Sequence, residues 1–246
     1  MSALPHTPGV AFELDGQPIT ARPGETILKA AQRHGVEIPH LCYTDGLRPD
    51  GNCRACVVEI AGERTLAPSC CRAPTAGMKV QAASPRARKS QQMVVEMLLS
   101  DMPDVGYRWN DGDIKTPELI AGGAYPSSAR APFDSKNAEA VGQHGELSQW
   151  ADRLGVSVRP ALKALRREQP APDLSHPAMA VNLDACIQCN RCVRACREEQ
   201  VNDVIGYALR GAESKIVFDL DDPMAESTCV ACGECVQACP TGALSP

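Results

Sequence analysis

Thirteen cysteines in two groups are the residues of this 246-residue chain whose spacing could support chemistry. Five lie between residues 42 and 71, and the other eight lie between residues 186 and 239. The eight form two runs with the spacing C-x2-C-x2-C-x3-C: Cys186, Cys189, Cys192 and Cys196, then Cys229, Cys232, Cys235 and Cys239. Such runs are typical of proteins that bind pairs of [4Fe–4S] clusters, because closely spaced thiolates converge on a compact inorganic core.

Each run is expected to share its fourth cysteine with the other run, because in this pattern the fourth cysteine binds the other cluster. The predicted ligand sets are Cys186, Cys189, Cys192 with Cys239, and Cys229, Cys232, Cys235 with Cys196. The second run ends in Cys239-Pro240, as in the bacterial pattern, whereas Arg197 follows the first. Structural zinc is the alternative, but zinc sites usually combine two C-x2-C pairs and fit three cysteines in series poorly.

The first group predicts a [2Fe–2S] cluster. Its ligands would be Cys42, Cys53, Cys56 and either Cys70 or Cys71, with ten, two and thirteen residues in the gaps for Cys70. The first gap departs from the four residues of the plant-type pattern, but the close C-x2-C pair and the distant fourth ligand remain. Gly51, just before Cys53, supplies the adaptable backbone that a cluster loop needs. Spacing alone leaves both Cys70 and Cys71 open, and the other would be a free thiol.

The histidines are scattered, and we expect them to be structural because cysteine already fills all twelve ligand positions. They are His6, His34, His40, His144 and His176. For His40 the alternative is a hydrogen bond near the cluster, since it lies two residues before Cys42. The sequence contains no Ser/His/Asp set and no usual glycine-rich phosphate loop, so we expect an electron-transfer protein without a catalytic site of its own.

The sequence pattern of residues 8–83 predicts a β-grasp domain. Apolar residues alternate at Val10, Phe12 and Leu14 ahead of the turn signal Asp15-Gly16, which predicts a hairpin whose second strand lies near Ile19. A helix over 25–34, a second hairpin pairing 57–60 with 65–66, and a strand at 79–80 complete the expected domain.

A connector is expected over residues 84–175. It begins with a helix that Ser84 is expected to cap. The apolar positions 93, 94, 97 and 98 of this helix are predicted to pack against a neighbour. A further helix has apolar residues at 147, 150, 151 and 154 and ends at Gly155. A shorter helix is expected over 161–167, with irregular chain elsewhere.

Residues 176–246 are predicted to form a bacterial-type 2[4Fe–4S] ferredoxin domain, with short strands at 180–181 and 216–218. The fold class is therefore α+β: a β-grasp [2Fe–2S] ferredoxin domain and a dicluster domain joined by a helical and irregular connector.

Charge and hydropathy narrow the function classes. The formal net charge is −5 and the basic residues form no long run, which excludes nucleic acid as the main partner. No apolar stretch is long enough to span a bilayer, and residues 1–8 lack the pattern of a secretory signal. We therefore expect a soluble cytoplasmic protein without a membrane partner, in which thirteen cysteines would not form disulfides.

The first module resembles the N-terminal [2Fe–2S] domain of three related proteins: the large subunit of NADH:ubiquinone oxidoreductase, the small diaphorase subunit of NAD-reducing hydrogenases, and the α subunit of NAD-dependent molybdenum or tungsten formate dehydrogenase. The matching stretches are residues 38–42, 51–56 and 69–70. In these families the fourth ligand lies just before a short segment that ends in Gly-Met, here Gly77-Met78. This resemblance favours Cys70 over Cys71.

The last region is similar to the formate dehydrogenase α subunit over residues 181–189, 201–206 and 227–244. The other two families carry an additional His-plus-three-Cys cluster just after the helix that ends near Leu99, and no cysteine follows at that place here. The resemblance therefore implies the formate dehydrogenase branch. In that branch the chain continues into a catalytic domain, whereas this one stops at Pro246, so we expect a fragment or a separate catalytic polypeptide.

This resemblance implies electron transfer between a Mo/W-pterin centre that oxidises formate and an FMN/NAD-binding diaphorase subunit. The FMN, NAD and Mo/W-pterin are expected on partner chains or on a missing domain. Two alternative functions are a diaphorase subunit of an NAD-reducing hydrogenase and a stand-alone polyferredoxin carrier, for which we expect a mostly polar surface.

Overall fold

The computed structural model describes residues 9–103, 144–168 and 171–246. Contacts between Cα atoms separate two compact units, Met1–Tyr43 with Pro49–Val94, and Thr44–Arg48 with Val95–Pro246. Most of the segment predicted to be irregular, from 104 to 143, lies outside the described residues. The division at 83 and 175 stays a prediction.

The first unit is built on a five-stranded mixed sheet with the order β2-β1-β5-β3-β4. The strands are β1 Val10–Leu14, β2 Gln17–Ala21, β3 Val57–Ile60, β4 Ala67–Pro68 and β5 Lys79–Gln81. Strands β1 and β5 are parallel and all other neighbours are antiparallel. The predicted first hairpin is confirmed, with Leu14 opposite Gln17 and positive φ at Asp15 and Gly16.

Helix α1, Ile27–Arg33, packs its apolar face into the core of this sheet. The Lys29 N–H donates to the Thr26 side chain at 3.3 Å, which caps the helix, and Gly35 at φ +75° ends it. Ile27 and Leu28 are fully buried. The mixed sheet with one packed helix confirms the β-grasp fold expected for a [2Fe–2S] ferredoxin domain.

The second hairpin differs from the prediction by two residues. Strand β4 is Ala67–Pro68 rather than 65–66, and Val57 pairs with Pro68. This register lets Ser69 donate both its N–H and its hydroxyl to the Cys56 carbonyl, at 3.1 and 2.7 Å. Tertiary pairing beside the cysteines therefore decides where the strand begins, and Pro68 is tolerated because β4 lies at the edge of the sheet.

Helix α2, Pro85–Ser100, begins as predicted: the Ala87 N–H donates to Ser84 Oγ at 3.1 Å. The expected packing of its apolar face is wrong in part, because the side chains of Met93 and Met97 are 47% and 60% exposed. The buried face carries Val95 and, unexpectedly, Gln91.

The second unit contains short helices and two small two-stranded sheets. Among its described residues, the α-helices are α3 Glu146–Leu154, α4 Pro160–Lys163, α5 Arg191–Arg194, which continues as a π-helical turn over Ala195–Glu199, and α6 Glu234–Ala238. Strand β6 Ala180–Val181 pairs with β9 Leu244–Ser245, and β7 Ile205–Ala208 pairs with β8 Lys215–Phe218. The predicted α3 is confirmed, with Gly155 at φ +63° after its last turn.

Helix α4 is shorter than the predicted 161–167. The Arg167 N–H donates to Asp101 Oδ1 at 3.0 Å, and its guanidinium forms an ion pair with the same carboxylate. These tertiary bonds replace the helical ones that would have extended α4.

Within the described ranges, none of the helices combines the length and apolarity required to cross a bilayer.

Candidate metal centres

Four cysteines of the first unit lie together at the end of the β-grasp sheet. The Cys42 N–H donates to Cys53 Sγ at 3.4 Å, and the thiol of Cys70 interacts with those of Cys42 and Cys56. Cys42, Cys56 and Cys70 are almost fully buried. The structure thus brings together the four residues predicted to bind a [2Fe–2S] cluster, although the ligand assignment itself stays a prediction.

Cys71 lies beside this group but is exposed to solvent. Its Sγ is 3.5 Å from the Sγ of Cys70, whose exposed fraction is 0%. A Cβ atom on Gly51, whose φ is +66°, would lie only 2.9 Å from Cys71 Sγ, so a side chain at position 51 would force the Cys71 thiol to shift. The position of the thiols favours Cys70 as the fourth ligand.

The close packing of the four thiols separates their pKa values. Hydrogen bonds from Cys53 and Cys70 lower the pKa of Cys42, whereas the hydrogen bond with Cys42 and burial raise the pKa of Cys53. One thiolate therefore forms at the expense of its neighbours, since like charges in a buried site oppose one another. Only a cationic core can hold all four as thiolates, which is what iron ions supply.

The same backbone contact supports one cysteine in each cysteine loop. The N–H of the residue two positions later donates to Sγ: Ala55 to Cys53 at 3.5 Å, Gln188 to Cys186 at 3.4 Å, and Ala231 to Cys229 at 3.4 Å. Such donors stabilise negative charge on sulfur and adjust the potential of a bound cluster.

The two runs of the second unit have the same backbone conformation. Gln188 and Ala231, at the same position in each run, have φ of 53° and 57°, and Asn190 and Gly233 have φ of 66° and 81°. Non-glycine residues rarely adopt this region, so its use at matching positions marks a loop shape imposed by the site.

The second unit also brings the distant cysteines together. Cys186, Cys189, Cys192 and Cys239 line one cavity, whose other walls include Ile187, Tyr207 and Ile216. Cys235 interacts electrostatically with Cys229, Cys232 and Cys196. These neighbours correspond to the two ligand sets predicted from the crossing rule, and the assignment of ligands to clusters stays a prediction.

Burial raises the pKa of these thiols. The pKa of Cys186 rises to about 11 and that of Cys235 to about 12, and burial also raises the pKa of Cys189 and Cys192. Thiols in such surroundings stay protonated unless a cation compensates them. The donor set therefore fits a cationic iron–sulfur core.

The two sets differ in their exposure to solvent. Cys189 and Cys192 are 7% and 9% exposed, whereas Cys232 lies in an exposed loop next to Val230, which is 60% exposed. The second run therefore presents its loop at the surface of this unit.

Residues other than the cysteines also build the site. Thr241 Oγ1 donates to the Ala185 carbonyl at 2.6 Å and lies 3.8 Å from Cys239 Sγ. Arg191, only 3% exposed, forms an ion pair with Glu146 of α3 at 2.7 Å. The sequence analysis missed the bonds to Ala185 and Glu146 because the partners lie 56 and 45 residues apart.

His40 hydrogen-bonds through Nδ1 to the Ile38 carbonyl at 2.8 Å.

In the part of the chain that the structure describes, no group of three or more His, Cys, Asp or Glu side chains converges on a position for a single metal ion.

Two protein families match the chain in the regions that carry these sites. Residues 7–85 match the 2Fe-2S iron-sulfur cluster binding domain, and residues 185–243 match the 4Fe-4S dicluster domain. The order of the two domains is the one expected from the cysteine spacing.

Several curated proteins are similar over nearly the whole chain. One subunit of an NADP-reducing hydrogenase from Solidesulfovibrio fructosivorans is 31% identical, over 96% of this chain and 36% of the relative. One subunit of an NADH-quinone oxidoreductase from Rhizobium meliloti is 30% identical, over 96% and 24%. A putative formate dehydrogenase from Staphylococcus haemolyticus is 24% identical, over 94% and 20%. The chain thus spans between a fifth and about a third of the length of these relatives.

The fold is also similar to a solved structure. One chain of an NAD⁺-reducing [NiFe]-hydrogenase superposes with a TM-score of 0.72 at 24% identity, covering 96% of this chain and 86% of that one. This likeness is one of fold. The family matches and the curated relatives together show that the chain carries the 2Fe-2S and 4Fe-4S domains of NADH-quinone oxidoreductase, NADP-reducing hydrogenase and formate dehydrogenase-like proteins.

Proposed function

We propose that this chain is the electron-transfer part of an NAD(P)-linked oxidoreductase complex and that it binds one [2Fe–2S] and two [4Fe–4S] clusters. The observation that carries the proposal is the gathering of twelve cysteines into three groups, in which all but the exposed Cys232 are buried or partly buried. The proposed ligand sets are Cys42, Cys53, Cys56 and Cys70; Cys186, Cys189, Cys192 and Cys239; and Cys229, Cys232, Cys235 and Cys196.

Bound iron–sulfur clusters supply one-electron chemistry, and the contribution of the chain is to hold them and adjust their potentials. The β-grasp core and the small sheets of the second unit exclude water from most of the cysteines. Backbone N–H groups donate to Cys53, Cys186 and Cys229, and buried arginine adds positive charge near Cys189. These features favour the reduced, more negative state of a cluster.

One partner in this proposal is an FMN/NAD-binding diaphorase subunit. Relatives of the chain are parts of an NADP-reducing hydrogenase and of an NADH-quinone oxidoreductase, and a similar fold occurs in an NAD⁺-reducing hydrogenase. The feature that these proteins share by name is a nicotinamide nucleotide, so we assign the nucleotide side of the electron path to such a partner.

For the other partner we propose a formate-oxidising Mo/W-pterin domain or subunit. The chain has no cysteine from 72 to 185, where the related hydrogenase and NADH oxidoreductase families carry a further cluster. Similarity to a putative formate dehydrogenase supports the same branch. A hydrogenase is the second candidate, because the relative at 31% identity belongs to an NADP-reducing hydrogenase.

Iron and acid-labile sulfide analysis of the anaerobically purified chain tests the cluster content. We expect about ten irons per chain, two plus four plus four, and three EPR signals in the reduced protein. About four irons, or bound zinc in place of iron, would contradict the proposal.

The partners are tested on the intact complex purified from the organism that encodes the chain. Formate should reduce the clusters of that complex, and NAD⁺ should reoxidise them. Reduction by hydrogen but not by formate would instead identify the hydrogenase. A chain that purifies alone with a complete set of clusters would support the diffusible carrier.

A further inference from the structure

The two cysteine runs place opposite charges at the same position. The residue just before the third cysteine is Arg191 in the first run and Glu234 in the second. The backbone of the two loops is alike at the preceding positions, with positive φ at both Asn190 and Gly233. The repeat therefore offers an internal comparison in which the loop shape is the same and the charge is reversed.

The charge of Arg191 lies inside the protein. Its exposed fraction is 3%, and it begins helix α5, which carries Cys192. A charge removed from water is screened far less than a surface charge, so its effect on neighbouring groups is large. Glu234, at the start of α6, is partly exposed and is screened more strongly.

Arg191 is held in place by helix α3. Its Nη1 donates to Glu146 Oε2 at 2.7 Å, and the N–H of Glu146 donates to the carbonyl of Pro240, which follows Cys239. The side chain of Glu146 is 32% exposed, whereas that of Arg191 is 3% exposed. Because solvent screens the carboxylate more than the guanidinium, the pair leaves net positive potential toward the cysteines.

Arg191 lies between Cys189 and Cys192 in the first run and directly precedes Cys192 on α5. Its guanidinium also interacts electrostatically with Cys189. Cys189 lines the same cavity as Cys186, Cys192 and Cys239. The positive charge therefore acts on the first ligand set.

We propose that Arg191 raises the reduction potential of the [4Fe–4S] cluster bound by the first ligand set, and that Glu146 positions Arg191 and partly offsets its charge. This inference rests on the proposed function, since it requires a cluster at that site. Reduction by the formate-oxidising partner adds one electron and breaks no bond, so the site gains one negative charge. A buried positive charge stabilises that state, and the first site would hold the electron in preference to the second.

The test is an EPR-monitored redox titration of the full chain with its clusters, comparing wild type with Arg191→Gln and Glu146→Gln. In Arg191→Gln, one [4Fe–4S] step should move to lower potential, with at least about a tenfold change in the ratio of oxidised to reduced cluster, equivalent to 59 mV for one electron. In Glu146→Gln the same step should move to higher potential by a smaller amount.

The matched control is Arg197→Gln, which removes one positive charge from a side chain that is 55% exposed and paired with Asp203 at 2.6 Å. We expect the step that responds to Arg191→Gln to stay in place in this control. If Arg191→Gln loses the cluster, two variants that keep the positive charge still test the inference. Arg191→Lys should leave the step near its wild-type potential, and Glu146→Gln should raise the potential.

The inference is overturned if neither Arg191→Gln nor Glu146→Gln shifts a [4Fe–4S] step, or if both shift it in the same direction. A purely structural role of the ion pair predicts cluster loss or equal shifts rather than shifts of opposite sign. Absence of [4Fe–4S] signals from the wild-type chain would refute the proposed function instead, which separates the two failures.

Discussion

The Sγ atoms of Cys70 and Cys71 lie 3.5 Å apart, yet Cys70 is fully buried and Cys71 is exposed. Adjacent residues on one chain thus have opposite surroundings. Ser69, also fully buried, donates its hydroxyl to the Cys56 carbonyl, which directs Cys70 into the site.

The two adjacent thiols should respond differently to mutation. Cys70→Ala is expected to remove the [2Fe–2S] cluster and lower the iron content from about ten to about eight per chain. Cys71→Ala is the matched control and should keep all three EPR signals. A [2Fe–2S] signal that survives in Cys70→Ala but disappears in the double variant would show that Cys71 replaces Cys70.

The crossing of the two runs is tested with Cys239→Ser and Cys196→Ser. Cys239→Ser should damage the cluster held by Cys186, Cys189 and Cys192, because Cys239 lines their cavity. Cys196→Ser should damage the other cluster, since Cys196 interacts with Cys235. EPR of the reduced variants should show different [4Fe–4S] signals lost in each. Loss of the same signal in both would refute the pairing.

Gln91 ties helix α2 to the β-grasp sheet. Its Nε2 donates to the Val57 carbonyl at 2.9 Å and to the Ala82 carbonyl at 3.2 Å, and the side chain is 2% exposed. Gln91→Ala should destabilise the domain by about 2–4 kcal/mol, because two buried carbonyls lose their donor and a cavity forms. The temperature at which the [2Fe–2S] absorbance bleaches should fall, whereas the exposed Lys89→Ala should leave it unchanged.

His144 should make the stability of the second unit depend on pH. Burial, followed by repulsion from Lys163, lowers the pKa of His144 to about 4 from an ordinary value of 6.5. Between these two values the unfolded chain binds the proton and the folded chain does not, so stability is complete above pH 6.5 and falls as pH drops toward 4. From pH 7.5 to 5 we expect a loss of about 1–2 kcal/mol from this group.

The measurement is thermal unfolding across that pH range, compared with His144→Gln, which removes the titrating ring. The variant should lose less stability on acidification than wild type. Parallel curves for the two proteins would show that His144 does not titrate between the folded and unfolded states.

Features that depend on neighbouring residues were predictable from the sequence. The spacing of Cys186, Cys189 and Cys192 predicts a cluster loop because a few residues of turning backbone bring their thiols together. Asp15-Gly16 predicted the first hairpin and Gly155 the end of α3, since residues that tolerate positive φ mark turns and helix ends locally.

Contacts between distant groups became visible in the folded chain and were not predictable from local patterns. It placed Cys239 with the first run, buried Cys70 rather than Cys71, and joined Arg191 to Glu146 across 45 residues. It also left Met93 and Met97 exposed on a helix whose pattern predicted packing. The physical reason is that spacing and turn residues specify local backbone shape, whereas burial, ion pairing and the sharing of a ligand depend on contacts between segments that the sequence does not order in space.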